Sequence, residues 1–267
     1  MSSDSVNHGS LEPVEVIALL ELAKKIAHGA GQLLMDRPLL FDVSTKSSAI
    51  DFATQMDIAA EKYIVESILA TRPGDGIIGE EGSSRPSNSG ITWVIDPLDG
   101  TVNYFYGLPG WNVSIAAKNA SGVLVGVVCA PTIGMTWWAV KGGGAFCNAN
   151  PIQVNNPVAL DRALVGTGFS YSVEKRVFQA EAVKSLLPKV RDVRRLGAAA
   201  VDLCHVASGA LDGYFETGLK EWDLAAGGLI ATEAGAIVTG RAGGPAGEEM
   251  VIAAGPSLHL SLITQIG

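Results

Sequence analysis

The amino-acid sequence predicts a layered protein of the α/β class (layered α+β), in which helices pack on mixed sheets. Three observations support this prediction: helical periodicity near the N-terminus, closely spaced short strands in the middle, and alternating strands and helices in the second half. The chain has 267 residues, of which 48% are hydrophobic, so it can build a large core. One compact unit made of two packed lobes fits this length.

Helices are predicted where apolar residues recur at every third or fourth position. In the first helix Ile17, Leu20 and Ile26 show this spacing, and Pro13 lies near the start, where proline is tolerated. The second helix ends before Pro73-Gly74, because this pair is a strong stop signal. The predicted helices span residues 13–35, 54–70, 173–187, 198–208, 224–234 and 257–266.

Strands are predicted for the short apolar runs between turn residues. We expect the strand at 91–95 to end at Pro97, because proline cannot donate to a ladder. The strands from 113 to 154 follow one another so closely that they indicate an antiparallel meander, with a turn at 142–144. The predicted strands span residues 77–79, 91–95, 113–118, 122–130, 136–141, 152–154, 164–168, 213–216, 237–239 and 251–253.

Composition limits the possible functions and the compartment. The net charge of −8 argues against nucleic-acid binding, and it would repel a phosphorylated substrate unless the site carries cations. The three cysteines are scattered, which predicts reduced thiols in a cytoplasmic protein, and no signal peptide or membrane-spanning run is present. The four histidines are dispersed, which makes a zinc site improbable.

Residues 1–12 are predicted to be disordered. Residues 13–155 are predicted to form an N-terminal lobe and residues 156–267 a C-terminal lobe.

The stretch Trp93 to Tyr104, WVIDPLDGTVNY, ends an apolar strand with two carboxylates in one tight turn. A surface turn would explain the glycine but not two acids after a buried strand. Asp96, Asp99 and the carbonyl of Leu98 offer the oxygen ligands that Mg²⁺ prefers. Gly100 would let backbone N–H groups approach an anion, and Thr101 lies where a helix could start. The acids are three apart, which fits neither an EF-hand loop nor an aspartyl-phosphate phosphatase.

Three further acidic stretches have both a plain and a functional interpretation. Glu80-Glu81 could be a solvated edge, but Glu80 would lie near Asp96 if its strand neighbours the strand at 91–95. Asp223 could simply complement the dipole of its helix, although the adjacent Trp222 would fix its direction if buried. Asp57 could serve the same dipole role in an early helical turn.

These acid-bearing motifs, in this order, resemble those of the inositol monophosphatase family of magnesium-dependent, lithium-sensitive phosphatases. The resemblance covers roughly residues 14–255, and it implies a five-layer αβαβα sandwich of the inositol monophosphatase and fructose-1,6-bisphosphatase type, usually a homodimer. The matching segments are KSSAIDFATQMD (46–57), GEEG (79–82), WVIDPLDGTVNYFYGLP (93–109), GAFCN (144–148), RRLGAAAVDLC (194–204) and EWDLAAGGLIATEAGA (221–236).

The resemblance also implies a role for each site residue. Two to three Mg²⁺ ions would be held by Glu80, Asp96, the Leu98 carbonyl, Asp99 and Asp223. The catalytic residues would be Glu80 together with Thr101 and Asp57, a hydrogen-bonded pair that orients and deprotonates the attacking water. Gly100 and Thr101 would bind phosphate oxygens through their N–H groups, and Ala199 and Glu216 would contact the inositol ring.

The implied function is hydrolysis of inositol 1-phosphate, a small phosphorylated substrate, with no nucleic-acid or membrane partner. Histidinol phosphate, fructose 1,6-bisphosphate, a 3′-phosphorylated nucleotide and NADP remain open, because the metal half of such sites is shared. A regulatory protein built on a phosphatase scaffold is the alternative of another class. Lys220 departs from the family pattern, where some relatives carry histidine, and this concerns the edge of the substrate pocket.

Overall fold

The structure is a computed structural model that describes residues 12–48 and 51–266. Apart from Glu12, the segment predicted to be disordered lies outside the described residues, and so do Ala49 and Ile50 of the first motif. The helices are α1 (Pro13–Met35), α2 (Gln55–Thr71), α3 (Thr101–Tyr106), α4 (Val173–Leu186), α5 (Ala199–Ala207), α6 (Glu221–Glu233) and α7 (Pro256–Ile266).

Fifteen strands form one hairpin and two sheets within the described ranges. In the N-terminal half they are β1 (Val43–Ser48), β2 (Asp51–Thr54), β3 (Gly76–Gly79), β4 (Ser84–Arg85), β5 (Thr92–Asp99), β6 (Asn112–Asn119), β7 (Gly122–Ala130), β8 (Met135–Val140), β9 (Ala145–Cys147) and β10 (Asn150–Pro151). In the C-terminal half they are β11 (Leu164–Thr167), β12 (Asp192–Arg194), β13 (Gly213–Glu216), β14 (Ile237–Thr239) and β15 (Val251–Ala254).

The larger sheet has the order β10-β9-β8-β7-β6-β5-β3-β4, and the expected antiparallel meander forms most of it. Only β3 and β5 run parallel among its neighbouring strands. The smaller sheet has the order β12-β11-β13-β15-β14, and in it β11 runs parallel to both β12 and β13. Because β11 and β13 are parallel, their carboxyl ends meet at the same edge of the sheet, where ligands of α/β proteins commonly bind.

Side-chain alternation along the strands divides the core between opposite faces of each sheet. In β5, Val94 packs with α5 and α6, whereas Trp93 and Ile95 pack with α1 and α2. In β13, Tyr214 faces α5 and α6, whereas Phe215 packs with α7 on the outer face. The layers therefore follow the order α1 and α2, large sheet, α5 and α6, small sheet, α4 and α7. This is the five-layer arrangement expected from the sequence.

The prediction that Pro97 ends its strand is wrong. β5 continues to Asp99, and the pairing with β6 shifts by one residue between Asp96, opposite Ser114, and Asp99, opposite Asn112. This bulge leaves the bulged segment without ladder bonds, so the missing N–H of proline costs nothing there.

The prediction of a strand at 152–154 is also wrong. β9 pairs instead with Asn150–Pro151, and the N–H of Val154 bonds to the carbonyl of Ala234 at the end of α6. The β1–β2 hairpin and the short strands β4, β9 and β12 carry no clear apolar alternation, and sequence reasoning missed them. The lobe boundary near residue 155 stays a prediction; it falls between the last strand of the large sheet and the first of the small one.

No helix formed by residues 12–48 or 51–266 is long and apolar enough to cross a membrane.

Close packing of α6 on the large sheet depends on Gly126 in β7. A Cβ atom at this position would lie 2.9 Å from the backbone of Ala226 in α6. We predict that Gly126→Ala displaces α6 and lowers the free energy of unfolding by about 1–3 kcal/mol, because the backbone must move. Urea denaturation measures this, with Gly247→Ala as the control, because a Cβ there would meet nothing within 4 Å. Equal stability of the two variants would contradict the packing.

Candidate active site

A cavity of about 490 Å³ lies where the end of β5 meets the first turns of α5 and α6. It is lined by every predicted site residue except Asp57: Glu80, Asp96, Leu98, Asp99, Gly100, Thr101, Ala199, Glu216 and Asp223. A larger depression of about 900 Å³ elsewhere, bordered by Asn155, Arg162 and Arg191, contains none of them. The predicted residues therefore come together, although they lie far apart in the sequence.

Glu80 reaches Asp96 because β3 and β5 are parallel neighbours. Gly79 pairs with Ile95, so the residues that follow leave the sheet side by side, and the N–H of Glu80 bonds to the Ile95 carbonyl at 3.2 Å. The turn after β3 is held by Glu61 of α2, which is 3% exposed. Its carboxylate accepts hydrogen bonds from the N–H groups of Glu81 and Ser83 at 2.8 and 2.9 Å.

The β-bulge directs both aspartates of β5 into the cavity. Asp96 is 2% exposed, and its Oδ1 accepts a hydrogen bond from the N–H of Leu98 at 3.0 Å. Asp99 is also buried, and it joins the large sheet to the middle layer. Its carboxylate accepts hydrogen bonds from the first N–H groups of α5, those of Ala199 at 3.2 Å and Ala200 at 2.8 Å. Asn112 donates to it at 2.9 Å.

Asp223 complements the start of its helix and also lines the cavity. It lies in the first turn of α6, where its Oδ2 accepts a hydrogen bond from the Lys220 N–H at 2.6 Å, and it also lines the cavity. Trp222 is only partly buried, but its carbonyl accepts a hydrogen bond from Ser114 of the large sheet at 3.4 Å. The start of α6 is thereby fixed next to β6.

Thr101 and Asp57 form the expected hydrogen-bonded pair. The Thr101 hydroxyl lies 2.9 Å from Oδ1 of Asp57 and 3.1 Å from the Leu98 carbonyl, so it can donate to either. The other oxygen of Asp57 accepts hydrogen bonds from the N–H and the hydroxyl of Thr54, at 2.8 and 2.6 Å. Asp57 is 1% exposed and does not line the cavity, so it can act on a bound molecule only through Thr101.

Burial and like charge raise the pKa of each aspartate in this cluster. Desolvation raises the pKa of Asp96 well above its usual range, and the charges of Glu80, Asp99 and Asp223 raise it further. Burial raises the pKa of Asp99 to about 6, opposed by hydrogen bonds from Asn112 and α5. Desolvation, followed by the charges of Asp99 and Glu80, raises the pKa of Asp223 well above normal. Positive charge nearby is therefore needed to stabilise the ionised form of the cluster.

Lys46 of β1 supplies part of that charge at the edge of the cavity. Its ammonium lies 2.8 Å from Glu80 and 2.6 Å from Glu81. Burial alone would lower the pKa of Lys46, but these two carboxylates outweigh it and raise the pKa. Burial also raises the pKa of Glu81 to about 7. The first motif thus contributes a charged contact as well as Asp57.

The donor set at the floor of the cavity fits Mg²⁺, since it consists of carboxylate and carbonyl oxygens. In the part of the chain that the structure describes, no three His, Cys, Asp or Glu side chains are already arranged to hold a metal ion. The carboxylates are instead bonded to protein donors: Glu80 to Lys46, Asp99 to α5 and Asp223 to Lys220. Side-chain rotation would be needed for coordination.

The same cavity is lined by Ala199, Glu216 and an acid that sequence reasoning missed, Asp202. Burial raises the pKa of Glu216 to about 7, and the Tyr214 hydroxyl donates a hydrogen bond to its Oε2. Asp202 is 1% exposed and lines the cavity from α5. The only signal for it in the sequence was one acid within the apolar run AAAVDLC.

We predict that Asp96→Asn raises the melting temperature of the metal-free protein at pH 7. Burial raises the pKa of Asp96 in the native state, and that of its neighbour Asp99 is raised from the usual value of about 4 to about 6. Between these values the native state binds more protons than the unfolded state, so the stability of the metal-free protein falls as the pH rises. Asp96→Asn removes one buried charge and so relieves part of this loss of stability. The gain in melting temperature should shrink towards pH 4. Thermal unfolding in EDTA measures it, and a lower melting temperature of the variant at pH 7 would contradict it.

Comparison with known proteins shows the family of the chain. The model of the inositol monophosphatase family matches residues 15–266. The "Inositol-1-monophosphatase" of Mycobacterium leprae is 42% identical over 235 residues, which cover 84% of this chain and 81% of the relative. The "Nus factor SuhB" of Pasteurella multocida is 40% identical over 230 residues, covering 85% and 86%. The crystal structure of "extragenic suppressor protein suhB" from Bartonella henselae superposes with a TM-score of 0.89 at 31% identity, covering 93% of this chain and 98% of that one.

The family model spans nearly all of the described residues, and the relatives match over more than four fifths of this chain. The chain therefore belongs to the inositol monophosphatase family and is an enzyme of the phosphoric monoester hydrolase class.

Proposed function

We propose that this protein is a Mg²⁺-dependent phosphomonoesterase that hydrolyses inositol 1-phosphate to inositol and phosphate. The observation that carries the proposal is the convergence of Glu80, Asp96, Asp99 and Asp223 in one buried cavity beside the Thr101–Asp57 pair. Such a cluster is unfavourable by itself, and a divalent cation between the carboxylates makes it favourable.

Two to three Mg²⁺ ions fit this donor set. In the proposed assignment Glu80, Asp96 and the Leu98 carbonyl would hold the first ion, and Asp96, Asp99 and Asp223 would hold the second; all of these residues line the cavity. Glu80 would help to hold a third. When bound, the ions offset the carboxylate charge, lower the pKa of a bound water and stabilise the leaving alkoxide.

Thr101 positions the attacking water and passes on its proton. Its hydroxyl donates to Asp57, which leaves the oxygen lone pairs free to accept a hydrogen bond from a water in the cavity. As the water oxygen attacks phosphorus, its proton moves to Thr101 and the Thr101 proton moves to Asp57. Burial raises the pKa of Asp57, which makes this carboxylate a better proton acceptor. The bond from phosphorus to the alcohol oxygen breaks on the opposite side, and that oxygen takes up a proton from a water of the cavity to leave as the alcohol, while Asp57 returns its proton through Thr101 to the solvent.

The remaining cavity residues bind the two ends of the substrate. The N–H groups of Gly100 and Thr101 bind phosphate oxygens; Gly100 has φ of 87°, and a Cβ atom there would lie 3.2 Å from Ala198. Ala199 and Glu216 contact the inositol ring. The cavity also carries Lys46, Lys175, Arg195 and Lys220, whose charge attracts an anionic substrate to a protein of net charge −8.

The name of the M. leprae relative supports inositol 1-phosphate as the substrate. Histidinol phosphate, fructose 1,6-bisphosphate and a phosphorylated nucleotide such as NADP use the same chemistry, and rates on these substrates with one preparation would rank them. Lys220, which replaces a histidine of some relatives, forms an ion pair of 2.7 Å with Glu248 at the mouth of the cavity. This ion pair reduces the positive charge that is available at the mouth of the cavity to bind a second phosphate.

A regulatory role on the phosphatase scaffold is the second candidate, because one relative carries the name Nus factor SuhB. An intact acid cluster argues for turnover in this chain. Turnover no higher than background with Mg²⁺ present would favour the regulatory role.

We further propose a cytoplasmic homodimer that lithium inhibits. Exposed apolar side chains on α4, those of Val173, Val177 and Phe178, support self-association.

Metal removal gives the first test. We predict that the purified protein releases phosphate from inositol 1-phosphate in the presence of Mg²⁺. Phosphate release should stop in EDTA and resume when excess Mg²⁺ is added. Asp96→Asn should abolish nearly all turnover with the fold retained, because its carboxylate is shared between two ions. A malachite-green assay and a circular dichroism spectrum measure both quantities. Full activity in EDTA, or in Asp96→Asn, would overturn the proposal.

Thr101 gives the second test through a matched pair of variants. Thr101→Val keeps the shape but loses the hydroxyl, and we predict that kcat falls by about 10²–10⁴-fold. Thr101→Ser keeps the hydroxyl and should retain most of the activity. Steady-state kinetics at saturating Mg²⁺ compare the two. If valine and serine at this position were equally active, Thr101 would have no part in proton transfer.

A further inference from the structure

The cavity also contains a buried carboxylate, near the acid cluster, for which the proposed function has no role. Asp202 lies on α5 three residues after Ala199, so both project from the same face of the helix. Asp202 lines the cavity although only 1% of the residue is exposed. Among the described residues, two buried side-chain atoms lack a hydrogen-bond partner, Asn112 Oδ1 and Asp202 Oδ1. An acceptor in this state is satisfied by a donor that the described chain does not supply, either a water or a bound molecule.

Asp202 and Glu216 both lie beside the carboxyl end of β11. A Cβ atom on Gly166 would lie 3.5 Å from Oδ1 of Asp202, an ordinary contact distance, and one on Gly168, the residue after β11, would overlap the Glu216 carboxylate at about 2 Å. Gly166 pairs with Tyr214 in the parallel register that places Glu216 at the carboxyl end of β13. The fold therefore brings the two acids, one from a helix and one from a strand, to the same side of the cavity.

The charges around these acids indicate which donor they receive. Burial and the charges of Glu216 and Asp99 raise the pKa of Asp202, and the positive charge of Arg195 opposes them; Arg195 also lowers the pKa of Glu216 against the larger effect of burial. Lys175 and Lys220 line the same cavity. Because these three cations already offset part of the carboxylate charge, the donor that Asp202 lacks need not be a cation, and a neutral hydroxyl can supply it.

We propose that Asp202 is a further specificity-determining residue, which accepts a hydrogen bond from a hydroxyl group of a polyol at the alcohol end of the substrate. Glu216 receives a neighbouring hydroxyl of the same polyol. This inference rests on the proposed function, because it assigns the alcohol half of the same site. It predicts a preference for phosphate esters of polyols over esters of simple alcohols.

The test compares two substrates that differ at the alcohol end. Inositol 1-phosphate carries further hydroxyls, and phenyl phosphate carries none. The quantity measured is the ratio of kcat/KM for the first to that for the second, at saturating Mg²⁺. We expect Asp202→Ala to lower this ratio about tenfold, and Asp202→Asn, which keeps an acceptor oxygen, to lie between it and the wild type.

The matched control is Asp212→Asn. Asp212 is another acid that supports β11, accepting hydrogen bonds from the Leu164 N–H at 2.7 Å and from Asn155 at 2.8 Å, but it lies outside this cavity. A purely structural effect would lower both activities together and leave the ratio unchanged in all variants, and that result would overturn the proposal. A wild-type preference for histidinol phosphate that is lost in Asp202→Ala would overturn the assignment of a polyol.

A second readout does not require turnover. Myo-inositol should raise the melting temperature of the wild type and not that of Asp202→Ala. If the wild type released no phosphate from either ester, the proposed function would fail and this measurement alone would decide the inference. A rise in the melting temperature of the wild type that is absent in Asp202→Ala would support the inference. No shift in the wild type, or an equal shift in the variant, would overturn it.

Discussion

The main constraint on this structure is the repulsion among four carboxylates that share one buried space. Each is held by a donor from a different part of the chain: Glu80 by Lys46 of the hairpin, Asp96 by a bulge N–H, Asp99 by α5 and Asp223 by the N–H before α6. Because the backbone donors are fixed by the packing of the layers, the backbone segments that carry the acids cannot move apart without disturbing the fold, whereas the side chains can rotate. A cation is the simplest way to make such a site stable when the acids are ionised.

The middle helical layer connects the two ends of the site. The first turn of α5 binds Asp99 of the large sheet, and one turn later the same helix places Asp202 beside the small sheet. In the proposed function the large sheet supplies the phosphate end of the site and the small sheet the alcohol end. We therefore expect substitutions at Glu216 or Asp202 to change the preferred alcohol.

Local sequence patterns predicted much of this fold, because most elements have clear apolar periodicity. The ranges 122–130, 213–216 and 237–239 are those observed, and the neighbouring positions of Glu80 and Asp96 followed from the adjacency of two strands. The bulge at Pro97 could not be predicted, since it depends on the pairing with β6. Asp202 was missed for a similar reason: it reaches the cavity because the first turn of α5 is bonded to Asp99, 100 residues earlier in the chain.

A crystal structure of the protein grown with Mn²⁺, a hard cation with an anomalous signal, tests the central claim most directly. The account predicts anomalous peaks among the carboxylates of Glu80, Asp96, Asp99 and Asp223, with side chains turned away from their present protein donors. Absence of any peak there, with the acids still bonded to Lys46, α5 and Lys220, would contradict it.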